Sequence, residues 1–336
     1  MKVSIRDLAA ACSLSVSAVS KALNNYPDIS KETRELVLKT AKQMGYFPNA
    51  SARTLKTNRS QNLGVLFEPI SPSGMTHPFF SALLESFKTE AEKSGYDLTF
   101  INNKIRSGMS YLEHCRYRNV DGAIIVCADF TSKEVEALLA SDIPTVAIDY
   151  PSTTCSCILS ENKSGMYMLT KHAISLGHKK IAYLHGEECY VHENRLNGYK
   201  EALMDAGLEV REDYILPSAY DNPEEASKAF KTILSHPDKP TCIMMSDDTA
   251  ATTAIQIAKM MNLSIPGDIS IGGYDGVRLS LMFSPALSTI KQDTFTMGKA
   301  AAQELIRLIE TAAPTQSKTI TVPASLVPGE SIGKIG

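Results

Sequence analysis

The chain has 336 residues, a formal net charge of −3, 43% hydrophobic and 21% charged residues, seven cysteines and no tryptophan. That length allows two or three domains with a sizeable core, and this balance of charge and apolar content excludes wholesale disorder. No run of about 18 apolar residues is present, which argues against a transmembrane helix, and the first 30 residues lack the unbroken apolar core of a secretory signal. The cysteines form no C-x-x-C pair. Cys155 and Cys157, the one close pair, sit in a Ser/Thr-rich stretch expected to be a loop. Free thiols in a reducing cytoplasm are therefore expected, and no metal site.

Charge is unevenly spread. Residues 1–60 hold ten Lys and Arg against four Asp and Glu, leaving +6 there and −9 on the remainder. A basic head on an acidic body suggests a nucleic-acid-binding unit joined to a domain with another task, although a solvated basic face would have the same balance.

In chain order, Ile5, Leu8 and Ala9 fall at helical spacing behind Ser4 as N-cap. C-S-L-S leaves room only for a turn. Ser15 can cap a second helix from Val16 to Leu23, with Val19 and Leu23 inward and Ser17 and Lys21 outward. Two short helices about a tight turn, with small Ala9 at the crossing, make a helix-turn-helix, and an ordinary αα-hairpin shares that spacing. In a helix-turn-helix the start of the second helix enters the major groove. Val16 then suits a thymine methyl, Ser17 several bases and Lys21 a guanine.

A third helix starts at Ser30, takes Glu32 and Glu35 at its positive end, stops at Gly45, and is expected to bury Leu36, Val37, Thr40, Ala41 and Met44. After Pro48, residues 50–56 are too short for a stable isolated helix. Leu55, apolar among Arg53, Lys56 and Arg59, suits either a wedge between base steps or packing on a neighbouring domain.

From residue 62, apolar runs alternate with amphipathic stretches in two series separated at 151–160, which is read as a loop. This predicts two doubly wound α/β subdomains with parallel sheets covered on both faces. Ligands in such sheets sit at strand carboxyl ends, where Asp149, Ser246 to Asp248 and Asp275 stand. Dinucleotide, P-loop and nucleophile-elbow motifs are absent, and the adjacent pair Asp247 and Asp248 should diverge. No catalytic residue, cofactor or metal is expected. A ligand-binding cleft between two lobes is the better default.

The segments S-I-R-D-L-A-A-A-C-S-L-S-V-S-A-V-S-K-A-L-N, I-S-K-E-T-R and M-G-Y-F-P-N-A-S-A-R-T-L-K-T resemble the lactose/galactose repressor family of bacterial transcription regulators. One departure is Ser13, where the family usually has Gly. The resemblance implies base reading by Val16, Ser17 and Lys21, phosphate contacts from Ser20, Asn24, Ser30 and Thr33, and Leu55 as intercalator of a hinge helix. It extends through the body, implying an all-α head and a body like periplasmic sugar-binding proteins. The implied domains are 1–47, a hinge at 48–60, and 61–336 with lobes at about 61–160 plus 292–322 and 161–291 plus 323–336.

Arg195 in R-L-N-G-Y and Asp275 in G-G-Y-D-G match effector-binding positions, Tyr220 a stacking aromatic, and Phe79 and Phe80 the first-lobe wall; Asp149, Ser246 and Thr294 fall at further pocket positions. The loop E-P-I-S-P-S-G-M-T is longer than usual, and Gly329 replaces a frequent Arg whose ion pair on the last strand would be lost. The resemblance implies a cytoplasmic homodimeric regulator acting as a repressor, taking operator DNA and a small sugar-like effector, without a membrane partner. Activation, control by a partner protein, and a sugar-binding protein with no DNA role remain open alternatives.

Overall fold

The computed structural model describes residues 3–47, 59–68, 73–104, 108–278, 282–311 and 316–335. The chain divides into two compact units, 1–60 and 61–336.

The head is built by local capping. Helix α1 (Ile5–Ala11) opens with a reciprocal box: the Ser4 hydroxyl accepts from the Asp7 N–H, and the Asp7 carboxylate accepts from the Ser4 N–H at 2.9 Å. Helix α2 (Val16–Leu23) starts where the Ser15 hydroxyl accepts from the Ala18 N–H at 3.1 Å. Between them Ser13 takes φ +54°, so the turn keeps its left-handed residue without glycine. Helix α3 (Lys31–Met44) is capped by Ser30 and stopped by Gly45 at φ +65°. Leu8, Ala9, Cys12, Val19, Ala22, Val37 and Ala41 form the core. Leu36, expected in that core, is 48% exposed. It stands about 100° around the helix from Val37, and α1 and α2 cover only the Val37 side.

In the body, β1 (Asn62–Phe67), β2 (Asp97–Ile101), β3 (Gly122–Cys127), β4 (Thr145–Ile148), β5 (Ser156–Ser160) and β11 (Thr319–Val322) make a parallel sheet ordered β11-β5-β4-β3-β1-β2. The second sheet contains β6 (Ile181–His185), β7 (Ile215–Pro217), β8 (Cys242–Met244), β9 (Ser270–Asp275), β10 (Ser288–Gln292) and β12 (Ala324–Val327). Its order is β12-β10-β9-β8-β6-β7, parallel except for β12 against β10. Sheet membership changes after Ser160, Gln292 and Val322.

Both faces of each sheet are covered. Ile124 and Val126 of β3 point into a core with Leu83 and Phe87 of α4 (Pro78–Lys93) and Leu305 of α11 (Thr294–Glu310). Ala123 and Ile125 point to the other side, toward α5 (Tyr111–Arg118) and α6 (Lys133–Leu139). The second sheet is flanked likewise by α7 (Asn162–Ser175) and α8 (Tyr190–Asp205) on one face and α9 (Pro223–Leu234) and α10 (Asp248–Met260) on the other.

The stretch 151–160 is not wholly a loop. Residues 156–160 form the buried strand β5. Its first residue is satisfied from afar: the Ser156 hydroxyl donates to Glu304 at 2.7 Å, and Arg307 holds that carboxylate. Near the C-terminus, Gly329 lies against backbone, where a Cβ would come within 2.5 Å of the Ala286 oxygen. This position has no room for an arginine stem, and close packing against backbone stands there instead.

Candidate DNA-reading face and effector cleft

On the head, Val16 is 42% exposed and Ser17 is exposed beside it at the start of α2. Lys21 lies one turn on and pairs with the Asp28 carboxylate. Both partners are partly exposed, so Lys21 can release Asp28 at a cost of about 1 kcal/mol or less. Among the expected phosphate contacts, Asn24 donates its amide to the Ser20 carbonyl at 2.7 Å. The Ser30 hydroxyl is committed to the α3 cap and bonds Thr33. Leu55 and the hinge at 48–58 lie outside the described residues.

In the body, a cavity of about 570 Å³ receives residues from both lobes. Asp149 follows β4 and Asp275 ends β9, each at the carboxyl end of a central strand. Both have positive φ, +49° and +109°, a conformation an L-residue holds only when its surroundings fix it. The Asp149 carboxylate accepts from the Ser160 N–H at 2.8 Å, and Asp275 accepts from the Gln292 amide at 2.7 Å.

Arg195 of α8 is buried between them. Its Nε donates to Asn162 Oδ1 and its Nη1 to the Ser246 carbonyl, both at 2.8 Å, and Nη2 lies 3.8 Å from Asp275. Its guanidinium lies 3.6 Å from the Tyr274 ring centroid. The cation is therefore positioned by the protein before any ligand arrives.

Burial pushes Asp149 up to about 6, against the opposing pull of the Ser160 N–H and Arg195. Burial, helped by the charge of Asp275, likewise lifts Asp247 to about 6, while the Ala250 and Asp221 N–H groups draw it back. Burial also raises Asp275, and Arg195 restrains it.

Arg195, Asp275, Asp149, Tyr220, Phe79 and Phe80 all line the cavity. Ser246 and Thr294 are not among its lining residues. Ser246 sits behind Arg195 and supports it through its carbonyl, and Thr294 opens α11 two residues beyond the position that does face the cleft. That position is Gln292, which sequence reasoning missed together with His77, Asn162, Phe130 and Tyr150. His77 was visible in H-P-F-F. Phe130 and Tyr150 stack at 4.0 Å across 20 residues and had no local signal. Asp247 and Asp248 diverge as expected: Asp247 accepts from Ala250 and Asp221, and Asp248 from Thr289 and Val277.

Tyr220 is seated by glycine. A Cβ on Gly186 would fall 2.1 Å from its ring, so the ring packs directly against that backbone, 5.7 Å from the Arg195 guanidinium. Ala219 and Asp221 flank it at φ +47° and +48°.

Family comparison agrees with this architecture. Residues 4–49 match the bacterial regulatory proteins of the lacI family, and 170–332 match a periplasmic binding protein-like domain. The HTH-type transcriptional repressor PurR of Haemophilus influenzae (strain PittEE) is 30% identical over 310 residues, 91% of this chain and 90% of that protein. The chain belongs to the lacI family of bacterial regulatory proteins. The ribose operon repressor of Haemophilus influenzae (strain ATCC 51907 / DSM 11121 / KW20 / Rd) is 30% identical over 337 residues, covering 98% of each chain. A lac repressor dimer bound to operator and the anti-inducer ONPF matches with TM-score 0.82 at 23% identity, over 99% of this chain and 100% of that one. A complex of the transcriptional regulator CelR with cellobiose matches with TM-score 0.70 at 21% identity, over 98% and 100%. At these identities the structures share the fold. Among the described residues no helix is long and apolar enough to cross a membrane.

Proposed function

We propose that this protein is a cytoplasmic transcription repressor, without enzymatic activity, that binds a palindromic operator as a homodimer and is switched by a small hydroxyl-rich effector in the cleft. The observation that carries the reading is Arg195: buried, and held by Asn162, Ser246 and Asp275 at the edge of a cavity that also receives Tyr220. A buried ion pair at the edge of an open cavity is expensive for stability alone and suited to ligand hydroxyls. Val16, Ser17 and Lys21 read base edges, with Ser20, Asn24, Ser30 and Thr33 against phosphates.

The route between the sites is the hinge. Residues 49–56 are too few to be helical alone. They fold when two copies meet over the operator centre, each Leu55 opening a base step. An effector across the cleft alters the spacing of the first lobes and so the meeting of the hinges.

Selection of operator from random DNA, followed by gel-shift titration with a sugar and purine panel, tests the reading. A palindromic consensus whose affinity changes with a cleft-binding compound is the expected result. Binding without sequence preference, or a compound that binds the body and leaves operator affinity unchanged, would refute it.

A further inference from the structure

The cleft carries an excess of negative charge. Asp149, Asp247 and Asp275 lie deep in it, and Asp129, Glu187, Glu188 and Glu193 line it with exposed side chains. Arg195 is the sole Lys or Arg lining it among the described residues. That cation is already committed to Asn162, to the Ser246 carbonyl and to Asp275. It is poorly placed to neutralise a ligand phosphate.

The unmet hydrogen bonding points the same way. Gln292 is 3% exposed and lines the cavity, and its Oε1 has no partner. It is an acceptor awaiting a donor. Asp149 and Asp275 each use one carboxylate oxygen, Oδ1, and the other meets no donor among the described residues. Some features would favour an anion: the Tyr220 hydroxyl and His77 Nδ1 on the cavity wall also lack partners and can donate, and α8 opens on the cavity with Cys189, its N-cap, making no side-chain cap bond. Glu193 stands in that first turn, with Glu187 and Glu188 just ahead. These three carboxylates already provide the negative charge that the helix end prefers.

We propose that the cleft selects its effector by charge, taking neutral or amine-bearing sugars and excluding phosphorylated and acidic ones, with Asp129, Glu187, Glu188 and Glu193 as the filter. This rests on the reading of the cleft as the effector site.

Cys189 gives a native reporter for the filter. It lines the cavity and is the one exposed cysteine of the seven. Its thiolate attacks a methanethiosulfonate, forming a disulfide and releasing methanesulfinate. The full-length protein is treated at low ionic strength with 2-aminoethyl and 2-sulfonatoethyl methanethiosulfonate, and modification of Cys189 is followed by mass spectrometry. The cationic-to-anionic rate ratio is divided by that of 2-mercaptoethanol. Any shift in the thiol's own ionisation cancels in this ratio.

The expected normalised ratio is about tenfold or more, falling at high salt. In the double variant Glu188→Gln/Glu193→Gln it should fall several-fold. A ratio near one in the wild type, or one unchanged in the double variant, overturns the filter whatever the effector. A parallel thermal-shift set of glucose, glucosamine and glucose 6-phosphate, with the matched ribose and galactose series, reads selection directly. Stabilisation by a phosphorylated member alone overturns the proposal. If the thiol ratio is high and no sugar stabilises the body, the filter stands and the sugar-effector reading fails.

Discussion

Replacing Arg195 with Ala removes a side chain that organises the cleft as well as binding in it. The change deletes two 2.8 Å hydrogen bonds, to Asn162 and to the Ser246 carbonyl, the 3.8 Å approach to Asp275, and the packing on Tyr274. Removing one partner of a buried ion pair costs about 3–5 kcal/mol. For a domain of this size that is a fall in Tm of roughly 6–20 °C. Part of the loss depends on pH, and its sign follows from the carboxylates. Asp149 titrates near 6 and Asp275 is also raised, against an unfolded value near 4. Groups raised in the folded state contribute stability that is fully present below the unfolded pKa and lost as pH rises through the folded one. Without Arg195, which draws both down, both folded values move higher. The deficit relative to wild type should therefore be larger at pH 8 than at pH 5, with a remainder at pH 5 from the orphaned Asn162 and Ser246 oxygens. Differential scanning calorimetry of both full-length proteins at the two pH values measures it. An equal deficit at pH 5 and 8, or one below about 3 °C at both, would show that Arg195 does not hold these charges.

Gly186→Ala should force the Tyr220 ring to retreat by more than about 1 Å, since the new Cβ would otherwise sit 2.1 Å from it. Effector affinity, read by isothermal calorimetry, should fall about tenfold or more while unfolding changes by about 2 kcal/mol or less. Ser13→Gly relieves a positive φ in the head and should stabilise it by up to about 1 kcal/mol in urea unfolding followed by circular dichroism. Lys21→Ala should relax sequence choice at one base pair per half-site, losing roughly 1–3 kcal/mol of discrimination there in a randomised-operator selection.

The head was legible because its signals are local. Ser4, Ser15, Ser30 and Gly45 each mark a helix end within a turn of themselves, and each does so in the structure. The alternation of the body and the acids at strand ends were legible for the same reason. The strand β5 was not. Ser-Cys-Ile-Leu-Ser reads as the end of a Ser/Thr loop, and only Glu304, 148 residues away, makes burial of Ser156 affordable. Helices α5, α6, α9 and α11 went unread although Ser110, Ser132, Asn222 and Asp293 cap them; α5 and α6 have only short apolar faces. In the cleft, residues that touch the cavity and residues that hold them look alike in sequence. Ser246 and Asn162 support Arg195 from behind, and the difference between Thr294 and Gln292 is where β10 ends and α11 begins.

In the proposed function, the cleft controls the affinity of the head for operator. Fluorescence-anisotropy titration of operator at one fixed salt concentration tests it, with and without a compound that raises the Tm of the body. Wild type and Tyr220→Ala are compared. The expected result is an operator Kd that shifts with the compound in wild type, and the same starting Kd with little or no shift in Tyr220→Ala. A full shift retained in Tyr220→Ala, or a cleft-bound compound that leaves the wild-type Kd unmoved, would contradict it.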